Sequence, residues 1–184
     1  MKQIILMLVA AFVFASCNSG QEESASTQTT STESTPGVGQ SGVKDDVSKP
    51  NIVQTAVGSK DHTTLVTAVK AADLVDALSN AGPFTVFAPT NAAFEKLPKG
   101  TVEGLLKPEK KNDLVNLLGY HTYVGVIDGI LLQDGSEYDM VFGGKVKITK
   151  KDGKTFVNDS EILATIKTSN GVIHVIGDVL MPKK

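Results

Sequence analysis

The hydrophobic and polar positions of the chain single out two strongly apolar segments that lie far apart in the sequence. The first, residues 83–94, predicts a strand that stops at Pro89 and a helix capped by Thr90 or Asn91. The second, residues 171–182, is a nearly continuous apolar run, which predicts a strand covered on both faces. Because both strands need a cover on each side, we expect them to share one core that the other elements complete.

Three further segments carry apolar residues at helical spacing, and each is expected to form a helix that packs on this core. They are Ile52, Val53, Ala56 and Val57 after a cap at Asn51, then Leu65, Ala68, Val69, Ala72, Val75 and Leu78, and finally Leu114, Leu117, Leu118 and His121 after Pro108. The second of these helices is expected to end before Asn80. Residues 99–107 are polar and interrupted by glycines, which predicts a connecting segment.

The second half of the chain has the pattern of β-hairpins. Turn signals occur at Gly143-Gly144, Asp152-Gly153 and Asn170-Gly171. Apolar residues alternate with other residues in two strands, and are expected to line the core: Val146 and Ile148 in one, and Ile162, Ala164 and Ile166 in the other. Helices followed by an antiparallel meander, to which the early strand of residues 84–88 returns, predict an α+β fold.

Three motifs resemble those of the fasciclin (FAS1) domain family. The sequences TVFAPTNAAF at residues 85–94 and NGVIHVIGDVLMP at residues 170–182 are similar to its two signature segments, and Leu118-Gly119-Tyr120-His121 resembles its Tyr-His motif. The resemblance covers residues 50–182. It implies a seven-stranded antiparallel β-wedge with a layer of helices, and it makes Tyr120 and His121 candidates for an adhesion or interaction motif. From the residues alone, both rings are expected to be packed with hydrogen-bonded polar tips, and the two roles are compatible.

The N-terminus has the layout of a secretory signal, with Lys2 followed by an apolar run of eleven residues, 4–14. A run of this length makes about 16 Å of helix, which is too short to cross a bilayer. Cys17 is the only cysteine, and its setting resembles a bacterial lipobox. The resemblance implies cleavage after residue 16 and lipidation of Cys17, so that the chain is anchored to a membrane.

Residues 17–48 are predicted to be the lipidated cysteine and a disordered tether, and residues 49–184 the domain. Between Asn18 and Ser48 there are seven serines, five threonines and four glycines, without any aromatic residue, leucine or isoleucine. A coil of this length spans about 30 Å. The acidic run Gln21-Glu22-Glu23 is similar to export tags of outer-membrane lipoproteins, so we expect an outer-membrane, surface-exposed protein, with the periplasmic face as the alternative.

Composition and charge exclude several classes of function. Residues 49–184 hold 16 lysines and 15 acids, and the chain has neither arginine nor tryptophan, so nucleic-acid binding is not expected. The chain has no GxSxG, HExxH or CxxC motif. Residues 37–42 match GxGxxG, but they lie in a Ser/Thr-rich linker without a strand before them, so we do not interpret them as a dinucleotide-binding loop. We interpret His62 as an exposed turn residue, His174 as a core histidine, and the acids Asp134, Glu137 and Asp139 as a polar turn. The sequence therefore predicts no enzyme, no cofactor and no metal site.

Two hypotheses about function follow. The first is a lipid-anchored FAS1 domain of a bacterial envelope that acts without catalysis in adhesion, or in interaction with a protein or matrix partner. The second is a periplasmic carrier that binds a small apolar ligand between the helices and the sheet. The sequence leaves open the identity of the partner, the face of the membrane and the oligomeric state.

Overall fold

A computed structural model describes residues 49–98 and 100–182 of the chain. The predicted signal peptide, Cys17 and the tether lie outside these residues. The described part contains six α-helices: α1 Ile52–Gly58, α2 Thr63–Ala71, α3 Val75–Ser79, α4 Asn91–Glu95, α5 Thr101–Leu105 and α6 Lys111–Tyr120. It also contains seven strands: β1 Phe84–Pro89, β2 Thr122–Val124, β3 Glu137–Asp139, β4 Lys145–Lys151, β5 Lys154–Val157, β6 Ser160–Lys167 and β7 Gly171–Ile176.

The helix starts agree with the predicted caps. Asn51 and Gln54 form a capping box at α1, in which each side chain accepts the backbone N–H of the other residue. The Thr90 hydroxyl accepts the Ala93 N–H and begins α4 directly after β1. The chain therefore turns from the central strand into a helix within two residues, as the sequence predicted.

The helix expected over residues 65–78 is two helices, α2 and α3. Asp73 lies between them with a φ of 62°, in the left-handed region that ends a helix. Their apolar residues still share one face, because Leu65, Ala68 and Leu78 all lie in one buried cluster. The break changes the direction of the chain without changing which residues are buried.

The connection predicted at residues 99–107 contains a short helix, α5. Leu105 and Leu106 pack against the buried cluster beneath the helices. The stabilisation of this helix comes from tertiary packing, which overrides the weak local preference of a segment with two glycines.

The seven strands form one sheet in the order β2-β1-β7-β6-β5-β4-β3. Neighbouring strands are antiparallel except for β1 and β7, which pair in parallel with Phe84 opposite Gly171 and Pro89 opposite Ile176. The fold is α+β as predicted, with a mixed rather than a wholly antiparallel sheet. A parallel pair needs a long crossover, which the helices and strands between β1 and β7 supply. The sheet curls towards a barrel, since the Val141 N–H donates to the Thr122 carbonyl of β2 at 3.0 Å.

Both faces of the central pair are covered. On one face, Val86, Ala88, Ile173 and Val175 pack against the helices. On the other, Phe87 and Ile176 join a second cluster with the inward side chains of the curled hairpins: Val146, Ile148 and Val157. The prediction of two central strands buried on both sides is thus confirmed.

The alternation predicted for β6 holds for only part of the strand. A bulge at Leu163 shifts the pairing, so that Ile162 lies opposite Ile176 but Ala164 lies opposite Val175. Ala164 and Ile166 therefore lie on the helix-covered face, opposite Val175 and Ile173, whereas Thr165 faces the other side and bonds to His174. Ala164 and Ile166 are exposed there, and only Ile162 packs on the core.

Candidate functional site

Tyr120 lies at the junction between α6 and β2 and is buried. Its hydroxyl donates to the Lys145 carbonyl at 2.9 Å and accepts from Asn158 Nδ2 at 3.3 Å. The ring packs so closely on Gly144 that a Cβ there would lie 2.7 Å from Tyr120 Cε2. Tyr120 therefore fixes the turn between β3 and β4 to the end of α6.

His121 is also buried, with both ring nitrogens engaged. Nδ1 donates to the Leu117 carbonyl at 2.8 Å, and Nε2 accepts the Leu180 N–H at 2.9 Å. A carbonyl only accepts and an amide only donates, so these partners define one neutral tautomer. Burial lowers the pKa of His121 to about 4, although the bond to the Leu117 carbonyl opposes this effect. The imidazole thus ties the C-terminal segment to α6 and has no nitrogen left for proton transfer.

The two candidate residues can therefore act on the surface only through the segments that they hold. One of these is the turn between β3 and β4, where Val141 and Phe142 are 45% and 52% exposed. The Phe142 ring lies over Gly119, at a position that a Cβ on Gly119 would overlap. We call Val141 and Phe142 the turn surface. Sequence reasoning missed it, although two large apolar residues directly before Gly143-Gly144 are a usable signal.

His174 is the core histidine that the sequence predicted. Its Nε2 donates to the Ile127 carbonyl at 2.7 Å, and Nδ1 accepts from the Thr165 hydroxyl at 2.9 Å. The ring stacks on Phe87 with centroids 5.4 Å apart. Burial lowers its pKa, against the opposing effects of the Ile127 carbonyl and the charge of Asp128. With both nitrogens paired inside the sheet, His174 serves to join β7 to the segment after β2.

His62 is not the exposed turn residue that the sequence predicted, because it is only 5% exposed. It ends the 3₁₀ turn Lys60–His62, and its Nδ1 lies 2.8 Å from the Ser59 hydroxyl. Burial lowers the pKa of His62, against the opposing charge of Asp61. The turn packs beside α1, α2 and α4, which a local pattern of polar residues does not reveal.

The interior contains two small apolar cavities between the helices and the sheet. One of about 40 Å³ lies under α1, α2 and α3, and the other, of about 20 Å³, lies nearer to α5 and α6. Leu65, Leu118 and His121 line both of them. Ligand pockets for drug-sized molecules measure about 300–1,000 Å³, so neither closed cavity has room for such a ligand.

Of the three acids interpreted as a polar turn, only Asp134 lies in a turn, and Glu137 and Asp139 lie in β3. Asp134 accepts the Lys150 N–H, and Glu137 pairs with Lys145. Asn158, in a formal glycosylation sequon, turns the chain between β5 and β6 with a φ of 51° and accepts the Lys147 N–H.

Within residues 49–98 and 100–182, no group of three acidic, histidine or cysteine side chains is placed to hold a metal ion. None of the helices in that same part is long and apolar enough to span a bilayer.

The model of the Fasciclin domain family matches residues 60–182, about two thirds of the chain. Protein sll1483 of Synechocystis is 52% identical over 132 residues, which are 71% of this chain and 73% of that protein. The cell surface glycolipoprotein MPB83 of Mycobacterium bovis is 36% identical over 110 residues, which are 60% of this chain and 48% of that protein.

Among solved structures, a FAS1 domain pair from the insect cell adhesion molecule Fasciclin I has a similar fold. The TM-score is 0.63 at 13% identity, over 72% of this chain and 51% of the insect chain. At this identity the likeness concerns the fold alone. Motifs, family match and fold agree, and the chain belongs to the fasciclin domain family.

Proposed function

We propose that this protein is a non-enzymatic interaction module of a bacterial cell envelope, which mediates adhesion or binds a protein or matrix partner. The observation that carries the proposal is the turn surface, where Tyr120 and Gly119 hold Val141 and Phe142 out into solvent. An exposed aromatic ring on a turn fixed from below loses little conformational entropy on binding. Such residues contribute strongly to protein interfaces.

The state of the histidines supports a function without catalysis. A general base needs a free nitrogen near a substrate. His121 and His174 have both nitrogens bonded within the fold. His62 Nδ1 lies 2.8 Å from the Ser59 hydroxyl and its Nε2 has no hydrogen-bond partner among the described residues, but the ring is only 5% exposed and is shielded from a substrate.

The relatives support a place at the cell surface. One is named a cell surface glycolipoprotein, and the chain with a similar fold comes from a cell adhesion molecule. Together with the lipobox-like sequence at Cys17, these names support a lipid anchor at the cell surface. The outer membrane is proposed from the Gln21-Glu22-Glu23 run alone, with the periplasmic face as the alternative location.

The proposal is tested by measuring the binding of residues 17–184 to cells of the host organism and to their extracellular matrix. The wild-type protein is compared with the Phe142→Ser variant. We expect saturable binding that this variant weakens at least about tenfold, since it removes an aromatic anchor from the interface. Leu163→Ser is the matched control, because Leu163 is 55% exposed on β6 and lies outside the turn surface. Equal binding of both variants, or no saturable binding at all, would count against the proposal.

A second candidate function is carriage of a small apolar ligand, favoured by the position of the apolar cavity under α1. Its volume of about 40 Å³ means that α1 has to move away from the sheet before a ligand enters. Native mass spectra of protein from its own host are expected to show a bound lipid or metabolite if this occurs. Spectra of the empty protein alone contradict it.

A further inference from the structure

The N-terminal end of the domain and a set of exposed aliphatic side chains lie at the same corner of the fold. The Ser169 N–H donates to the Pro50 carbonyl at 3.2 Å, which places the start of the described chain beside the turn between β6 and β7. A surface groove of about 460 Å³ at this turn is lined by Ser169, Pro83 and Val126. The chain that comes from Cys17 therefore enters the domain next to the segment that follows β2.

That segment presents large apolar residues to solvent. Ile130 is 81% exposed on the 3₁₀ turn Gly129–Leu131, and Val124 is 63% exposed at the end of β2. Val126 and Leu131 are also exposed. We call these four residues the entry face. They project from turns and from the end of a strand. Single exposed apolar residues are common on protein surfaces, but four of them within eight consecutive positions form a cluster that needs an explanation.

The turn that carries Ile130 is held in place. Asp128 accepts the Gly129 N–H at 2.8 Å, and the Tyr138 hydroxyl donates to the Leu131 carbonyl. Asp128 also pairs with Lys167 across the groove at 2.6 Å. Among the described residues, the two charges that line the groove thus neutralise each other. We therefore expect a partner to bind the entry face by covering its aliphatic side chains, and not through a net charge on this part of the surface.

We infer that the entry face rests on the lipid surface to which the chain is anchored, with Ile130 and its neighbours in the interfacial region of a zwitterionic bilayer. This inference rests on the proposed lipid at Cys17. Only 31 residues separate Cys17 from Lys49. A tether of this length holds the domain at millimolar effective concentration to the bilayer, so that weak apolar contacts suffice. The turn surface lies beyond the other end of β2, and stays available to a partner.

The test uses residues 17–184 coupled through Cys17 to a maleimide lipid in protein-free vesicles of phosphatidylcholine and phosphatidylethanolamine. Chemical coupling makes the result independent of natural lipidation. Hydrogen exchange is compared between vesicle-bound and uncoupled protein. We expect amides of residues 124–132 to exchange about tenfold more slowly on vesicles, and those of residues 151–157 to remain unchanged. The protection is expected to persist in high salt, since apolar burial is not screened.

The double variant Val126→Asp/Ile130→Asp is expected to lose the protection, while the control Leu163→Asp retains it, since Leu163 is 55% exposed and lies outside the entry face. Circular dichroism verifies that both variants fold. Identical exchange on and off vesicles overturns the inference. So does protection that appears only with anionic lipid, or only after addition of host membrane proteins, because these outcomes identify an electrostatic or a protein partner. Phe142→Ser is expected to leave the protection unchanged, which separates this test from that of the turn surface.

Discussion

At the scale of single residues, the histidines of this domain act as hydrogen-bonding parts of the core. His121 is the clearest example, because its neutral tautomer joins the Leu117 carbonyl to the Leu180 N–H. The family resemblance made Tyr120 and His121 candidates for direct contact with a partner. Here the rings are buried, and their effect on a partner passes through the turn and the C-terminal segment that they hold.

This arrangement predicts that the domain loses stability in mild acid. The pKa of His121 is about 4 in the fold, against 6.5 for an unperturbed histidine, so between these values the unfolded chain binds more protons. The contribution of neutral His121 to the free energy of unfolding is therefore fully present above pH 6.5. It decreases as the pH falls below this value, by up to about 1.4 kcal/mol per pH unit. The pKa values of His62 and His174 are also lowered, so these two histidines add to the loss of stability as the pH falls. Urea denaturation between pH 4.5 and 8 measures the slope.

His121→Leu serves as the matched variant. It removes the titrating group but leaves the Leu180 N–H and the Leu117 carbonyl without partners, and is expected to destabilise the domain by about 2–4 kcal/mol at pH 7.5. Its pH slope should be smaller than that of the wild type. An unchanged slope contradicts the role given to His121.

Gly119 offers a change at one residue that separates binding from folding. Alanine is a better helix former than glycine by about 1 kcal/mol, but its Cβ overlaps the Phe142 ring. Because Phe142 is half exposed, we expect Gly119→Ala to displace the ring while the free energy of unfolding changes by less than about 1 kcal/mol. Binding to the partner should fall as in Phe142→Ser. Gly104→Ala, where a Cβ meets nothing within 4 Å, is the control.

At the scale of elements, Asn170 connects the start of β7 to two helices. Its Oδ1 accepts the Ile52 N–H at 2.9 Å, and its Nδ2 donates to the carbonyls of Leu78 and Asn80 at 2.8 and 2.9 Å. Gly171 completes the junction, since a Cβ there would overlap the Phe84 carbonyl. The sequence identified Asn170-Gly171 as a turn signal. The structure adds that the same asparagine fixes α1 and α3 to the sheet.

We expect Asn170→Ala to cost about 2–4 kcal/mol, because it removes these three hydrogen bonds, two of which are partly buried. Asn170→Asp keeps the acceptor for the Ile52 N–H, but it places a carboxylate oxygen against the Leu78 and Asn80 carbonyls, which only accept. We therefore expect it to be at least as unstable as the alanine variant. Thermal and urea unfolding measure the order. Hydrogen exchange should increase first in α1. Wild-type stability of Asn170→Asp would show that the two Nδ2 donors contribute nothing.

At the scale of the whole molecule, two surfaces lie on either side of β2. The entry face lies where the chain enters the domain, and the turn surface lies near the end of α6. Under the proposals made above, the entry face contacts the bilayer and the turn surface contacts the partner.

Protease treatment of intact cells tests the location. If the protein faces outward, we expect digestion of the domain on intact cells, and the periplasmic alternative predicts digestion only after disruption. A periplasmic protein of known location is the control for leakage. Digestion only after disruption would make adhesion to other cells untenable and favour the carrier function.

The sequence by itself determined the elements whose signals are local. The caps at Asn51 and Thr90, the two doubly buried strands and the hairpin turns were all readable from side-chain type and spacing, because each depends on neighbours within a few positions. The order of these elements predicted the α+β class, and the family motifs narrowed it to a seven-stranded wedge with a layer of helices.

Tertiary structure alone decided what depends on distant partners. The parallel pairing of β1 with β7, the bulge at Leu163, the break at Asp73 and the burial of His62 follow from contacts between segments far apart in the chain. The same holds for the turn surface and the entry face. A spacing pattern shows which residues are apolar, but whether they are covered depends on how the sheet curls and where the helices end.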